Sequence, residues 1–201
     1  MKALLFADVT DPWSYIGATR FERAAATFTI VTGEPVDLAF RAKPGEPAAL
    51  TTAEQDLADA AAKITGIDFN FAEVVPASSF DAWRMLTWAG AEAEPGVQRD
   101  LAHQLWRAHF LEGADIADPL VLSTRAALVG LDLETAEALL ASDEYAAEVR
   151  TQDETAQALG ITRLPHVVVE TRWTLAGMHS QNDYVEALRQ IHREWSSGEP
   201  G

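Results

Sequence analysis

Strand-forming stretches occur at the two ends of this chain and everything between them reads as helix, so a sheet has to be closed from both ends around a helical block. At the front, Ala3-Leu4-Leu5-Phe6-Ala7 is a short apolar run of the kind that forms a buried strand. Apolar residues at helical spacing follow from Tyr15 to Thr29 (Ile16, Phe21, Ala24, Ala25, Phe28). Asp11-Pro12 supplies their start signal, an N-cap carboxylate followed by a proline in the first turn. Val36-Asp37-Leu38-Ala39-Phe40 alternates apolar and polar residues as a second strand, and Ala42-Lys43-Pro44-Gly45-Glu46-Pro47 breaks it. The helical pattern then runs from Thr51 to Gly160, with boundaries at Gly66, Pro76-Ala77-Ser78-Ser79, Glu94-Pro95-Gly96 and Asp118-Pro119. Beyond Gly160 the pattern changes. His166-Val167-Val168-Val169 and Trp173-Thr174-Leu175 read as strands, Ser180 to Trp195 as a closing amphipathic helix, and Ser196 to Gly201 as a fraying end.

Strand, helix, strand, helical block, strand, strand, helix is the order of an α/β thioredoxin fold with a large all-helical insertion. The sequence predicts a thioredoxin-like part from 1–50 and 160–201 and an insertion from 51–159. At 201 residues and 48% apolar composition the chain can bury one substantial core. A formal net charge of -16 argues against nucleic acid and anionic membrane surfaces as partners, since both would repel it. No stretch approaches a membrane-spanning length, and Met1-Lys2 leads straight into the first strand, so a cytoplasmic location is expected. Phosphate-cradling glycine loops, nucleophile elbows and metal-ligand spacings are absent, and neither His103 nor His179 has a partner at ligand spacing.

Asp8-Val9-Thr10-Asp11-Pro12-Trp13-Ser14-Tyr15-Ile16-Gly17, at the junction of the first strand and helix, resembles the Cys-Pro-Trp-Cys-Tyr-Ile-Gly signature of DsbA/FrnE-like thioredoxin-fold oxidoreductases. Asp11 and Ser14 stand where that signature has its two cysteines. There is no cysteine anywhere in the chain, and thiol–disulfide exchange requires an attacking thiolate, so this protein has no disulfide of its own to cycle. Gly160-Ile161-Thr162-Arg163-Leu164-Pro165 resembles the family's Gly-Ile-x-x-Val-Pro loop, whose proline is cis and faces the active-site helix. Three insertion segments are also similar to the family: Asp68-Phe69-Asn70-Phe71, Ser79-Phe80-Asp81-Ala82-Trp83-Arg84 and Leu105-Trp106-Arg107-Ala108-His109-Phe110. The same fold houses 2-hydroxychromene-2-carboxylate isomerases and kappa-class glutathione transferases, in which a serine hydrogen-bonds the sulfur of bound glutathione. An ionised Asp11 cannot donate to a thiolate and repels it, so a low-molecular-weight thiol cofactor is disfavoured here.

The resemblance makes the start of the first helix the candidate site. Asp11, stabilised as an anion by the helix amides and macrodipole, is expected to stay ionised and to act as a weak base or fixed acceptor, or simply as a cap. Ser14 is its neighbour in the first turn. The fold should bring His166, which follows the cis-proline, close to Asp11 as a base with its orienting partner, unless the imidazole turns into the core. Trp13, Tyr15, Leu164 and Pro165 are expected at the mouth. Trp83, Trp106 and His109, with Met85 and Phe110, would roof an apolar pocket or else form helix–helix core. Asn70 would orient a polar ligand or shape a turn. Two functions stay open. One is an isomerase- or transferase-like enzyme acting on a small apolar or aromatic molecule, without a metal. The other is a non-catalytic member that binds a peptide or ligand in the groove beside the proline. A homodimer is compatible with either.

Overall fold

The computed structural model describes residues 1–45 and 47–197; the expected fraying of 198–201 lies outside the described residues. Four strands form one sheet in the order β2-β1-β3-β4. Strand β1 (Lys2–Ala7) pairs in parallel with β2 (Asp37–Ala42) and antiparallel with β3 (His166–Val169), which pairs antiparallel with β4 (Trp173–Ala176). Helix α1 (Pro12–Thr32) and the closing α8 (Gln181–Ser197) pack together on one face of this sheet. Alternation decides the faces. Ala3, Leu5 and Ala7 of β1 and Val167 and Val169 of β3 point into the main core with Phe21, Phe28, Tyr184 and Leu188. Phe6 and Val168 point the other way, into a smaller cluster with Ala156 and Ile161.

Six helices lie between β2 and β3: α2 (Thr52–Thr65), α3 (Phe80–Glu92), α4 (Val97–Phe110), α5 (Pro119–Leu128), α6 (Leu133–Leu140) and α7 (Ala146–Ala158). Both Asp-Pro starts behave alike. Asp11 caps α1 through the Ser14 N–H, and Asp118 caps α5 through the Leu120 N–H. Two helix ends are additional to the predicted breaks. Asp132 accepts the Thr135 N–H to start α6 behind Gly130 at φ 89°, and a turn at 141–145 separates α6 from α7. Through Ala156, α7 covers the second face of the sheet. Tyr15 of α1 stacks on Trp106 of α4, with ring centroids 5.3 Å apart and planes 9° from parallel, which joins the helical block to the strand–helix junction. Among the described residues, no helix is long and apolar enough to cross a membrane.

Strand β2 is longer than the alternation predicts, continuing through Arg41 and Ala42. Its outer edge is satisfied by side chains rather than by another strand. Gln98 of α4 accepts the Phe40 N–H at 2.9 Å and donates to the Phe40 carbonyl at 3.3 Å, and Gln152 of α7 accepts the Ala42 N–H at 2.7 Å. Gly90 gives Gln98 its room, since a Cβ there would fall 2.5 Å from Nε2.

Candidate functional site

The junction between β1 and α1 carries two carboxylates three residues apart, and the fold turns them to different surroundings. Asp8 is 3% exposed and has no ion-pair partner among the described residues. Its Oδ2 accepts the Thr10 hydroxyl at 2.7 Å and the Gly45 N–H at 2.8 Å; its Oδ1 accepts the Trp83 indole N–H at 3.3 Å and the Thr10 N–H at 3.4 Å. The Asp8 carbonyl accepts the Trp106 indole N–H at 3.2 Å, and the Asp8 N–H donates to the Ser14 hydroxyl oxygen at 3.1 Å. Trp83 and Trp106 are therefore core residues aimed at Asp8.

Asp11 has fewer donors. Its Oδ2 accepts the Ser14 N–H at 2.8 Å and the Ser14 hydroxyl at 2.7 Å. Burial pushes its carboxyl up to about 6; the Ser14 bonds oppose that rise and the nearby Asp8 charge adds to it. The helix start was expected to hold Asp11 firmly ionised. Instead, packing removes more hydration than two donors return, so the group is an anion at neutral pH that titrates only slightly below it. Ser14 is fully buried and serves Asp11 and Asp8, with no surface left for a ligand.

An open groove of about 580 Å³ runs past Asp11, walled by Trp13, by Thr162, Arg163 and Leu164, and by Ala176, Gly177, Met178 and His179. The Leu164–Pro165 peptide bond is cis, and the buried proline ring lies against Gly17. A Cβ at Gly17 would stand 2.3 Å from Pro165 Cγ, so glycine is what permits this approach. Arg163 is exposed with no ion-pair partner among the described residues. His179 is held through its backbone, its N–H donating to Tyr184 Oη at 3.4 Å and its carbonyl accepting from Arg20 at 3.3 Å. Its Nε2 is buried without a partner. No group of His, Cys, Asp or Glu suited to holding a metal ion occurs among the described residues.

Several residues expected at this site are placed elsewhere. His166 pairs across the sheet with Phe6 and so shares the face of Phe6 and Val168, whereas Asp11 begins the helix that covers the opposite face. Neither a hydrogen bond nor a charge interaction joins His166 to Asp11, and burial alone lowers the His166 pKa. Tyr15 is occupied by its stack on Trp106 and by Phe69. Asn70 is exposed and shapes a turn, its N–H donating to the Phe110 carbonyl and its carbonyl accepting the Glu73 N–H. His109 is buried beside a second, separate cavity. Of the expected set, Asp11, Trp13 and Leu164 meet in the groove, with Pro165 beneath. Arg163 and His179, which complete it, come from the proline loop and from the turn before α8. Only their positions flanking the two sequence landmarks (Pro165 and the closing helix) could have pointed to them.

The profile of the DSBA-like thioredoxin domain matches residues 4–189. No curated protein matches the chain. Among solved structures, it is similar to a probable DsbA oxidoreductase from Streptomyces coelicolor, with 26% identity and a TM-score of 0.82 over 100% of this chain and 92% of that one. It also shares its fold with the cytosolic disulfide reductase DsbM of Pseudomonas aeruginosa, solved with GSH (20% identity, TM-score 0.71, 96% of this chain and 100% of that one). A third fold relative is 2-hydroxychromene-2-carboxylate isomerase (15% identity, TM-score 0.66, 100% of both chains).

Proposed function

This chain belongs to the family of DsbA-like thioredoxin domains, and we propose that it is a member without redox chemistry of its own that moves a proton on a small, carboxylate-bearing apolar or aromatic molecule, an isomerisation or related rearrangement. The observation that carries this reading is Asp11, a carboxyl lifted to about 6 on the wall of an open groove. A base of that strength is largely ionised at neutral pH and still basic enough to take the hydroxyl proton of a cyclic hemiketal while its ring C–O bond breaks, handing that proton to the phenolate oxygen released. Arg163 offers the unpaired cation for a substrate carboxylate, and Trp13 offers an aromatic face for its ring. His179 forms part of the same groove wall.

Glutathione, for which one fold relative gives precedent by its bound GSH, meets an Asp11 carboxylate in this chain and is disfavoured as a cofactor at neutral pH. A second reading, non-catalytic binding of a peptide or ligand, is favoured by the exposure of Thr162, Arg163 and Ala176 along the groove. The test is turnover of 2-hydroxychromene-2-carboxylate, the substrate class of one fold relative, with and without glutathione. Proton transfer by Asp11 predicts turnover without added thiol that rises with pH through about 6 and falls about 10²-fold or more in Asp11→Asn. Saturable binding of that and related aromatic carboxylates with no turnover by the wild type would leave the binding reading in its place.

A further inference from the structure

Helix α2 carries an apolar stripe on a side turned away from the protein. Ala53, Leu57, Ala60 and Ile64 recur at intervals of four, three and four residues, and every one of them is exposed. Leu57 is 65% exposed and Ile64 84%. The inward side of the same helix is Ala58, Ala62 and Thr65, all buried. Packing of α2 on the protein is thus complete without the stripe, which has the spacing of a helix–helix seam. The helix that presents it is held at both ends, by the Thr51–Glu54 capping box and by Gly66 in the left-handed conformation. Single apolar residues are ordinary on a surface, whereas a line of them along a whole helix marks a contact surface.

We propose that this stripe is the interface of a weak, two-fold symmetric homodimer in which the α2 helices of two copies pack antiparallel. The partner follows from self-complementarity. An antiparallel register places Leu57 against Ala60 of the second copy and Ile64 against its Ala53, so every layer joins one large residue to one small one. The same register brings Asp56 beside Lys63 of the second copy and, by symmetry, Lys63 beside its Asp56. Asp56 is exposed with no ion-pair partner among the described residues, and Lys63 has the carboxylate of Asp59 one turn earlier on its own helix at 2.6 Å. A parallel pairing would set Asp56 against Ala61 and form neither ion pair, which fixes the orientation. Glu54, Asp56 and Asp59 beside the stripe disfavour an anionic membrane as the occupant. One helix from each copy buries less than the roughly 1,200–2,000 Å² of a standard interface, so the dissociation constant should lie at about 10–100 µM.

The stripe shares no residue with the Asp11 groove, and its test does not involve turnover. In sedimentation velocity of the full chain from about 1 µM to about 1 mM, the wild type should pass from monomer to dimer. Ile64→Glu puts a charge into the seam at an exposed position, so it should leave the fold intact and weaken association by about tenfold or more. Asp56→Lys and Lys63→Glu should each weaken association about fivefold, because each turns both ion pairs into like-charge contacts. Mixed in equal amounts, these two variants can form both ion pairs again, Lys against Glu and Lys63 against Asp56, and should associate more tightly than either does alone. A wild type that stays monomeric at the highest concentration, a dimer indifferent to Ile64→Glu, or a mixture no tighter than its components overturns the proposal.

Discussion

Asp8 and Asp11 are separated by two residues on one turn of chain, yet one is a structural anchor and the other lines an open groove with a raised pKa. Asp8 has its two oxygens met by four neutral donors drawn from Thr10, Gly45 and Trp83, and its backbone is tied to Ser14 and Trp106. Asp11 has its Oδ2 met by Ser14 alone, and the residue lines a groove. Burial alone does not decide what a carboxylate does; the number of donors supplied in exchange for water does. The strand–helix junction, the loop after β2 and Trp83 of the insertion together supply donors on the Asp8 side, and Ser14 alone does so on the Asp11 side.

The sharpest way to break this contrast is to remove the anchor. Asp8→Ala strands the indole N–H of Trp83, the Gly45 N–H and the Thr10 hydroxyl, and should cost about 3 kcal/mol or more in urea unfolding. Asp11→Asn keeps an excellent cap and removes a buried charge, so at neutral pH it should leave the protein as stable as the wild type or more so. A small loss in Asp8→Ala would erase the distinction drawn between the two groups. Gly17→Ala comes next. Its Cβ would press the Pro165 ring at 2.3 Å, and overpacking of this kind costs about 1–3 kcal/mol, with groove resonances shifted alongside.

The pH dependence of stability separates the two sides of the junction by sign. Asp11 has a folded pKa of about 6, above its ordinary value of 3.8, so between those values the folded state holds the extra proton. Its contribution therefore diminishes as pH rises through that window, by about 3 kcal/mol in all. His109 does the reverse. With a folded pKa of about 4 against 6.5, the unfolded state binds the extra proton, and stability is lost as pH falls from 6.5 towards 4. Unfolding curves across pH 4 to 7 should thus become more acid-labile in Asp11→Asn and less so in His109→Phe. Identical slopes in wild type and both variants would contradict these assignments. The smallest effect on stability belongs to Arg163→Ala. It should shift unfolding by less than about 0.5 kcal/mol while weakening carboxylate ligands of the groove, as read by calorimetry.

The sequence carried the architecture because the cues were local. Asp-Pro starts, glycine ends and an apolar run at each end of the chain were enough to order the elements. The site was legible where it coincided with a cap, as at Asp11, or with a landmark proline, as at Pro165. It was illegible where facing mattered. His166 opens a strand whose next three residues are all valine, buried on both faces, so no polar–apolar alternation marks the face that its ring takes. Asp8 was equally hidden, because its donors come from residues 10, 45 and 83, which nothing in the local sequence relates. The spacing of the insertion tryptophans suits pocket and core alike, and their indole bonds to the Asp8 region make them core.

The two glutamines on the outer edge of β2 have a consequence for how the chain reaches its folded state. An open strand edge is a template for a second strand, from this molecule or another, and side-chain amides imitate that strand while ending the sheet. Gln98 and Gln152 belong to helices made long after β2, separated from Phe40 and Ala42 by 58 and 110 residues. Until those helices dock, the front half of the sheet is sticky. Self-association should therefore be a hazard of nascent or partly folded chains, and Gln98→Ala should raise the yield of aggregates on refolding more than it lowers the stability of molecules that have already folded.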